Sequence, residues 1–381
     1  MRLIFTLLIA GLLTACASPG YTVDDGRKVD EVLLADIRTY GAGEQALRPA
    51  IVRSADLQDP ECDTQWELPF SVATSYGAND DERVAWVRGL GVDERLTVVG
   101  TSPETPLKLG DKIHKVGAFD LGNSEKMLQL LEKLRDAGTP FNIQLADKKL
   151  VKVVPFKVCR GYTRLAPPNN PTAQNFHWLQ IVQPLEVVSA GLSEDEALWI
   201  VLWDQGISEQ GGAKMKFYHY GTGMISTLFT LGAGIHSASL ASEAGANVAR
   251  SAATSIATSV ARNQLISQAV TAVHKLSQQQ VKTALQRAAA NRAALSGINW
   301  AASTAFEKAD AWAYNRLALL GVDPLAGFSL HQKLIERNLT DNSMVFDLKR
   351  LKALYKIAAD EGNGNDVVGI LQGVNPDELQ F

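Results

Sequence analysis

The chain has 381 residues, enough for two or three domains of ordinary size. Its composition, 46% hydrophobic and 20% charged, is that of a globular protein. The formal net charge of −4 gives no electrostatic reason to expect a nucleic-acid partner, and we predict none.

The first sixteen residues have the pattern of an export signal. Arg2 precedes an apolar stretch from Leu3 to Leu13, and the chain then continues Leu13-Thr14-Ala15-Cys16. This end resembles the lipobox of bacterial lipoproteins, which are cut before the cysteine and acylated on it. The resemblance implies that 1–15 is a signal peptide and that Cys16 anchors the chain in a membrane. Because Ala17 and Ser18, the two residues directly after Cys16, include no aspartate, it implies the periplasmic face of the outer membrane. An ordinary secretory signal is the alternative.

The next segment combines a polar tether with a helix. Residues 16–26 have the composition of a tether. In 27–39, Val29, Val32, Leu33 and Ile37 recur at helical spacing, which predicts one amphipathic helix. The remainder of 27–83 is mixed, with strand-like pieces such as LPFSVAT. We expect 27–83 to pack on the C-terminal part of the chain.

Residues 84–157 predict a small β-rich unit. RLTVVG is strand-like, SEKMLQLLEKLRDAG predicts a helix, and FNIQLADKKLVKVVPF alternates as a hairpin does. The markers Ser102-Pro103, Leu109-Gly110-Asp111, Ile113 and Val116-Gly117 occur in the order typical of a bacterial PDZ domain, which this unit resembles.

The PDZ resemblance implies that a partner's exposed peptide segment or C-terminus is bound by addition to a sheet edge. Gly89, Leu90, Gly91 and Val92 are then the candidate carboxylate-binding loop. The spacing from this loop to the strand RLTVVG is shorter than the usual pattern. A PDZ-like unit that only packs against the rest of the protein is therefore the alternative.

Two cysteines remain after the signal, Cys62 and Cys159. In the oxidising periplasm, a single pair with no third candidate predicts a disulfide that encloses the PDZ-like unit. Two separately buried thiols are the alternative.

After a break rich in proline and asparagine (166–175), the chain is mainly helical. The stretch 193–208, SEDEALWIVLWDQGIS, begins with an S-x-x-E capping box formed by Ser193 and Glu196. An unbroken apolar run follows, and then Asp204, Gln205 and Gly206. The pattern predicts a buried helix that ends near Gly206.

This helix resembles the zinc helix of HtpX-like and BepA-like gluzincin metallopeptidases. In that family a capped acidic start and an apolar stretch lead into H-E-x-x-H. Asp195-Glu196 matches the start, and the motif positions fall on 203–207. Two imidazoles at i and i+4 hold zinc, and a glutamate takes a proton from the metal-bound water. Here Trp203 and Ile207 stand at the ligand positions and Asp204 at the glutamate position.

The family's third ligand is a glutamate on a later helix, and AFEKADAWAYNRLALLG (305–321) resembles that segment. Asp310 matches its aspartate, and the ligand position is Phe306. The resemblance therefore implies three apolar residues at three ligand positions. We predict no metal, no cofactor and no catalytic residue, and we predict that the N–H of Trp203 finds Asp310 as its partner.

These patterns predict an α+β protein in which the small PDZ-like domain precedes a mainly helical, degenerate metallopeptidase-like domain (158–360) and a C-terminal tail (361–381). The favoured function is a pseudopeptidase, a non-catalytic outer-membrane lipoprotein that binds or regulates envelope proteins. Two alternatives stay open: a structural envelope adaptor without a peptide groove, and an active metallopeptidase with unconventional ligands.

Overall fold

The computed structural model describes residues 20–161, 163–168, 182–210, 278–294, 299–339, 342–374 and 379, with the backbone alone at 182, 288–294 and 299–304. The predicted signal peptide and Cys16 lie outside these residues, as do 169–181 and 211–277. Among the described helices, none is both long and apolar enough to span a bilayer.

The structure is of the mixed α+β class, as the sequence predicts. The strands are β1 Thr64–Glu67, β2 Phe70–Ala73, β3 Leu96–Thr101, β4 Lys112–Val116, β5 Phe141–Leu145, β6 Leu150–Val153, β7 Phe156–Cys159, β8 Arg164–Leu165 and β9 Val182–Gln183. The helices are α1 Glu31–Ser54, α2 Asp80–Leu90, α3 Ser124–Asp136, α4 Glu186–Ser189, α5 Glu194–Gln210, α6 Gln278–Ala294, α7 Asn299–Leu319, α8 Ala326–Glu336, α9 Leu348–Asp360 and α10 Gly364–Ile370, with a short 3-10 helix at Ala55–Leu57.

Five strands form one antiparallel sheet in the order β2-β3-β4-β5-β6, and α3 connects β4 to β5. Strands β5 and β6 alternate buried and more exposed residues, and the inner face of the sheet packs on α3 around a core of its own. The sheet begins at Phe70, which differs from the predicted start of the unit at residue 84. The apolar residues of β2 explain the difference, because Phe70 and Val72 belong to the same core as the later strands.

The other core is helical and larger. Helix α5 lies at its centre and contacts α1, α7 and α8, and α9 packs on α7. Helix α2 also belongs to this core, because it packs on α1. Helix α1 continues to Ser54, well past the predicted end at residue 39, since Leu47 and Ile51 extend its buried face.

The two cysteines lie where the chain enters and leaves the sheet. Strand β1 pairs antiparallel with β7, and Thr64 is opposite Cys159. Cys62 and Cys159 form a disulfide with their Cα atoms 5.4 Å apart. The bond joins residues that are 97 positions apart in the chain, and all five strands of the sheet lie between them in sequence.

Candidate functional site

Helix α5 starts as the sequence predicts. The Ser193 hydroxyl accepts from the Glu196 amide at 3.2 Å, and the Glu196 carboxylate accepts from the Ser193 amide at 2.8 Å. This reciprocal capping box satisfies two N–H groups that a helix start would leave unpaired. The carboxylate also lies against the ammonium group of Lys333 on α8, so the start of α5 is fixed to a neighbouring helix.

The predicted end of α5 near Gly206 is wrong, because the helix continues to Gln210. Gly206 lies inside the helix, where α5 crosses α7. A Cβ atom built on Gly206 would be 2.9 Å from the Cα of Ala309, closer than real Cβ atoms approach, and 3.0 Å from the Cβ of Trp312, which is also tight. The glycine therefore allows a close helix crossing, and the sequence alone could not distinguish this from a helix end.

Two of the three residues at the positions aligned with zinc ligands have their aromatic rings in contact. Trp203 on α5 and Phe306 on α7 pack edge to face, with ring centroids 5.1 Å apart. Ile207 follows Trp203 by one turn on the same face of α5 and has no exposed surface. All three side chains belong to the large core, so the three positions that the resemblance aligns with zinc ligands are buried and lined by apolar or aromatic groups.

A buried carboxylate completes the cluster. Asp310, one turn after Phe306 on α7, accepts the indole N–H of Trp203 through Oδ1 at 2.8 Å, as predicted. Arg350 on α9 donates to both oxygens of the same carboxylate, from Nη2 to Oδ1 at 2.6 Å and from Nε to Oδ2 at 2.8 Å. Burial pushes the pKa of Asp310 above its ordinary value, and the guanidinium of Arg350 opposes this shift.

All three guanidinium nitrogens of Arg350 donate hydrogen bonds. Its Nη1 donates to the carbonyl oxygen of Ser343 at 2.7 Å, and its guanidinium carbon lies 4.9 Å from the ring centroid of Phe346. The Arg350 amide is capped by the side chain of Asp347, which begins α9. The side chains of Arg350 and Asp310 are only 3% and 2% exposed, so the pair is shielded from solvent.

A histidine lies beside this ion pair. His331 on α8 is buried, stacks on Phe346 with ring centroids 5.0 Å apart, and accepts the Phe346 amide through Nδ1 at 3.0 Å. Burial, assisted by the positive charge of Arg350, lowers the pKa of His331 to about 3. The imidazole is therefore neutral and structural.

Asp204 occupies a different polar environment on α5. The Gln183 side chain donates to its Oδ1 at 2.9 Å, and burial raises the pKa of Asp204 well above its ordinary range. The neighbouring Gln205 donates to the Ser54 hydroxyl at 3.0 Å, which connects α5 to α1. Among the described residues, Asp204 is thus a buried acid that belongs to no cluster of metal ligands, unlike the general base of a zinc site.

Within the residues that the structure describes, no three or more His, Cys, Asp or Glu side chains converge as a metal site would require. Tryptophan can donate only its N–H, and Ile207 and Phe306 have no donor or acceptor side-chain atom. The oxygens of Asp310 already accept three hydrogen bonds. The cluster therefore does not fit a catalytic zinc ion.

The segment 89–92, expected to be a carboxylate-binding loop, is the C-terminal end of α2. Gly91 terminates that helix with a positive φ of 66°, and Val92 is completely buried. Gly89 and Leu90 pack on α1, against Ile37 and Gly41 respectively. Strand β3 pairs with β2 on one side and with β4 on the other, so a peptide cannot add to it.

The sequence did not indicate that Arg350 would join this cluster. The signal for Arg350 is an aspartate three residues earlier, which indicates a helix start but not a buried arginine. Comparisons of the chain with protein-family models, with curated proteins and with solved structures each found no match.

Proposed function

We propose that the chain is a lipid-anchored, non-catalytic protein of the outer membrane that binds or regulates envelope proteins through a metallopeptidase-like helical domain. The observation that carries this proposal is the cluster of Trp203, Phe306, Asp310 and Arg350. Trp203, Phe306 and Asp310 are at positions that the family resemblance aligns with a zinc site, and Arg350 comes from a further helix.

The chemistry of the cluster supports a non-catalytic function. A peptidase needs an open coordination position and water that reaches the metal. Here Trp203 and Ile207 have no exposed surface, and Asp310 is 2% exposed. An ion pair so enclosed stabilises a fixed arrangement of α5, α7 and α9 and gives substrate no path to a reactive group.

The test is metal content and peptidase activity in the same preparation. We expect purified protein to contain no stoichiometric zinc and to leave casein intact with or without added zinc. The fourfold variant Trp203→His, Asp204→Glu, Ile207→His and Phe306→Glu should gain zinc affinity and lose stability without metal, because it places polar groups in an apolar core. About one zinc per wild-type chain, removed by a chelator together with casein cleavage, would overturn the proposal.

The anchor is tested separately. Labelled palmitate should be incorporated into wild-type protein and not into the Cys16→Ser variant, and only the wild type should fractionate with outer membranes. Equal membrane fractionation of both proteins would show that the lipobox interpretation is wrong.

A structural adaptor without a peptide groove is the second candidate, favoured by the packing of 89–92 on α1. The strands at the two edges of the sheet are β2 and β6. Leu150, which begins β6, and Val154, which follows its last residue, are 67% and 53% exposed. Loss of a captured envelope protein in Leu150→Lys/Val154→Lys, but not in Leu319→Lys, would favour strand addition. Unchanged capture would favour the adaptor.

A further inference from the structure

A basic cleft of about 410 Å³ opens on the five-stranded sheet. Four basic side chains line it, those of Arg95, His114, Lys115 and Lys148, and no acidic residue does. This concentration of positive charge contrasts with the net charge of −4 of the whole chain. The cleft is therefore suited to an anion.

The backbone is irregular at both strands that supply these residues. A β-bulge between Ile113 and Lys115 gives β4 an extra residue, and both His114 and Lys115 line the cleft. Lys148 lies in the β5–β6 turn with a φ of +71°, a left-handed conformation for which glycine or asparagine is preferred. A lysine is thus kept at a position where its backbone conformation is unfavourable.

Two of the four basic side chains have no partner among the described residues. Arg95 is paired with Asp93, and His114 lies 3.5 Å from Asp120. Among the described residues, neither Lys115 nor Lys148 has a hydrogen bond or an ion pair at its ammonium group. These two charges are available to a ligand.

The end of the tether is fixed at this cleft. The guanidinium of Arg95 lies 4.0 Å from the ring centroid of Tyr21, and the hydroxyl and amide of Thr22 donate to the carboxylate of Glu94. Cys16 precedes Tyr21 by five residues, which span at most about 18 Å when fully extended. If Cys16 carries the acyl chains, the cleft must lie close to the membrane surface.

Two exposed apolar side chains flank a residue that contacts the cleft lining. Phe119 is 57% exposed and Leu121 is 42% exposed, and they flank Asp120, which contacts His114. Aromatic and leucine side chains beside basic residues are typical of surfaces that enter the headgroup region of a bilayer.

We propose that this cleft binds the phosphate of anionic phospholipid headgroups, with Phe119 and Leu121 entering the same leaflet. The inference deepens the proposed function and depends on the lipid anchor at Cys16, which places the cleft at the membrane. Each lysine near an anionic surface strengthens membrane binding about fivefold. The contact would fix the orientation of the protein on its anchor.

The experiment uses the mature chain from residue 16 with Cys16→Ser, so that no acyl chain contributes. Its binding is measured by cosedimentation with vesicles of phosphatidylcholine alone and of phosphatidylcholine with 30% phosphatidylglycerol. We expect salt-sensitive binding to the second vesicles only, reduced at least tenfold by Lys115→Glu/Lys148→Glu. The matched control Lys282→Glu/Lys308→Glu makes the same charge change at two exposed helical lysines and should bind as the parent does.

Three outcomes would overturn the proposal: equal binding to both vesicles, equal losses in the two double variants, or binding to polyglutamate with none to phosphatidylglycerol. Phe119→Ala should weaken vesicle binding without changing its salt dependence, and an unchanged affinity would exclude insertion of that side chain. Failure of palmitate labelling at Cys16 would remove the anchor, while vesicle binding by this unacylated chain would still be measurable. The two failures are therefore distinguishable.

Discussion

The indole N–H of Trp203 donates to Oδ1 of Asp310 at 2.8 Å and so joins two helices whose residues are 107 positions apart in the chain. The bond replaces solvation that neither group retains in the core. A buried carboxylate that loses a donor is left with part of its desolvation uncompensated.

We predict that Trp203→Phe, which keeps the ring and removes the N–H, lowers the free energy of unfolding by about 1.5–3 kcal/mol, the range for a hydrogen bond to a charged group. Urea denaturation measures this. The matched control is Trp199→Phe in the same helix. Trp199 is also fully buried, but among the described residues its N–H has no acceptor. It should lose clearly less stability, and equal losses would show that the bond to Asp310 contributes nothing.

We predict a strong energetic coupling between Asp310 and Arg350 in a double-mutant cycle. Asp310→Asn or Arg350→Met leaves one buried group without its charged partner, and each should lower the free energy of unfolding by about 3–5 kcal/mol. The double variant should lose much less than the sum, because it leaves no buried charge. As a control, Lys349→Met removes an ion pair with Glu307 whose lysine is 64% exposed, and it should change stability by less than about 1 kcal/mol. Additive losses in the cycle would contradict the coupling.

Local patterns predicted the parts of the fold that depend on neighbouring residues. The capping box of Ser193 and Glu196 and the β5–β6 hairpin are encoded within a few positions, and both are present. The sequence pattern predicted only the first part of α1, because Gly41 and Pro49 are locally unfavourable in a helix and indicate an earlier end. Tertiary packing overrides this, since Gly41 leaves the space that Leu90 fills.

The same distinction applies to the candidate site. The pairing of Trp203 with Asp310 could be expected once a resemblance aligned the two helices. Arg350 could not, because an arginine near a helix start is normally solvent-exposed. Only the folded chain brings it to Asp310, 40 residues away.

We predict that the ionisation of Asp204 makes the free energy of unfolding depend on pH. Its pKa in the folded state lies well above that of the unfolded chain, because burial favours the neutral acid. Its contribution is therefore complete below the unfolded pKa of about 3.9 and decreases as the pH rises toward the folded pKa. Asp204→Asn preserves the acceptor for Gln183 and cannot ionise. The urea midpoint should therefore fall less from pH 5 to pH 8 in this variant than in the wild type. An identical decline would contradict the assignment, and Asp204→Ala should be less stable at both pH values because Gln183 loses its acceptor.

The disulfide predicts a redox-dependent stability. Cross-linking across 97 residues restricts the unfolded chain by about 4–5 kcal/mol in the chain-entropy model, although measured effects are typically about 2–4 kcal/mol. Cys62→Ser/Cys159→Ser should therefore unfold at lower temperature than the oxidised protein, and reductant should lower the unfolding temperature of the wild type only. Mass spectrometry of non-reduced tryptic peptides should detect the linked pair. Two alkylatable thiols in periplasmic protein would contradict it.

Gly206 is the glycine at which the sequence predicts the end of α5, although the helix continues past it. Alanine is favoured over glycine inside a helix by about 1 kcal/mol, so Gly206→Ala would stabilise α5 if the position were free. It is not free, because the new Cβ would meet the backbone of Ala309 at 2.9 Å, and backbone cannot move aside as a flexible side chain does. We expect the helices to separate and the free energy of unfolding to fall by about 1–3 kcal/mol, as in overpacked cores. Gly369 in α10 provides the matched control, since a Cβ there would meet nothing within 4 Å. Gly369→Ala should stabilise by about 0.5–1 kcal/mol. If both substitutions stabilise, α5 and α7 do not cross closely at Gly206, and the ring contact and hydrogen bonds of the cluster would have to be reassigned with them.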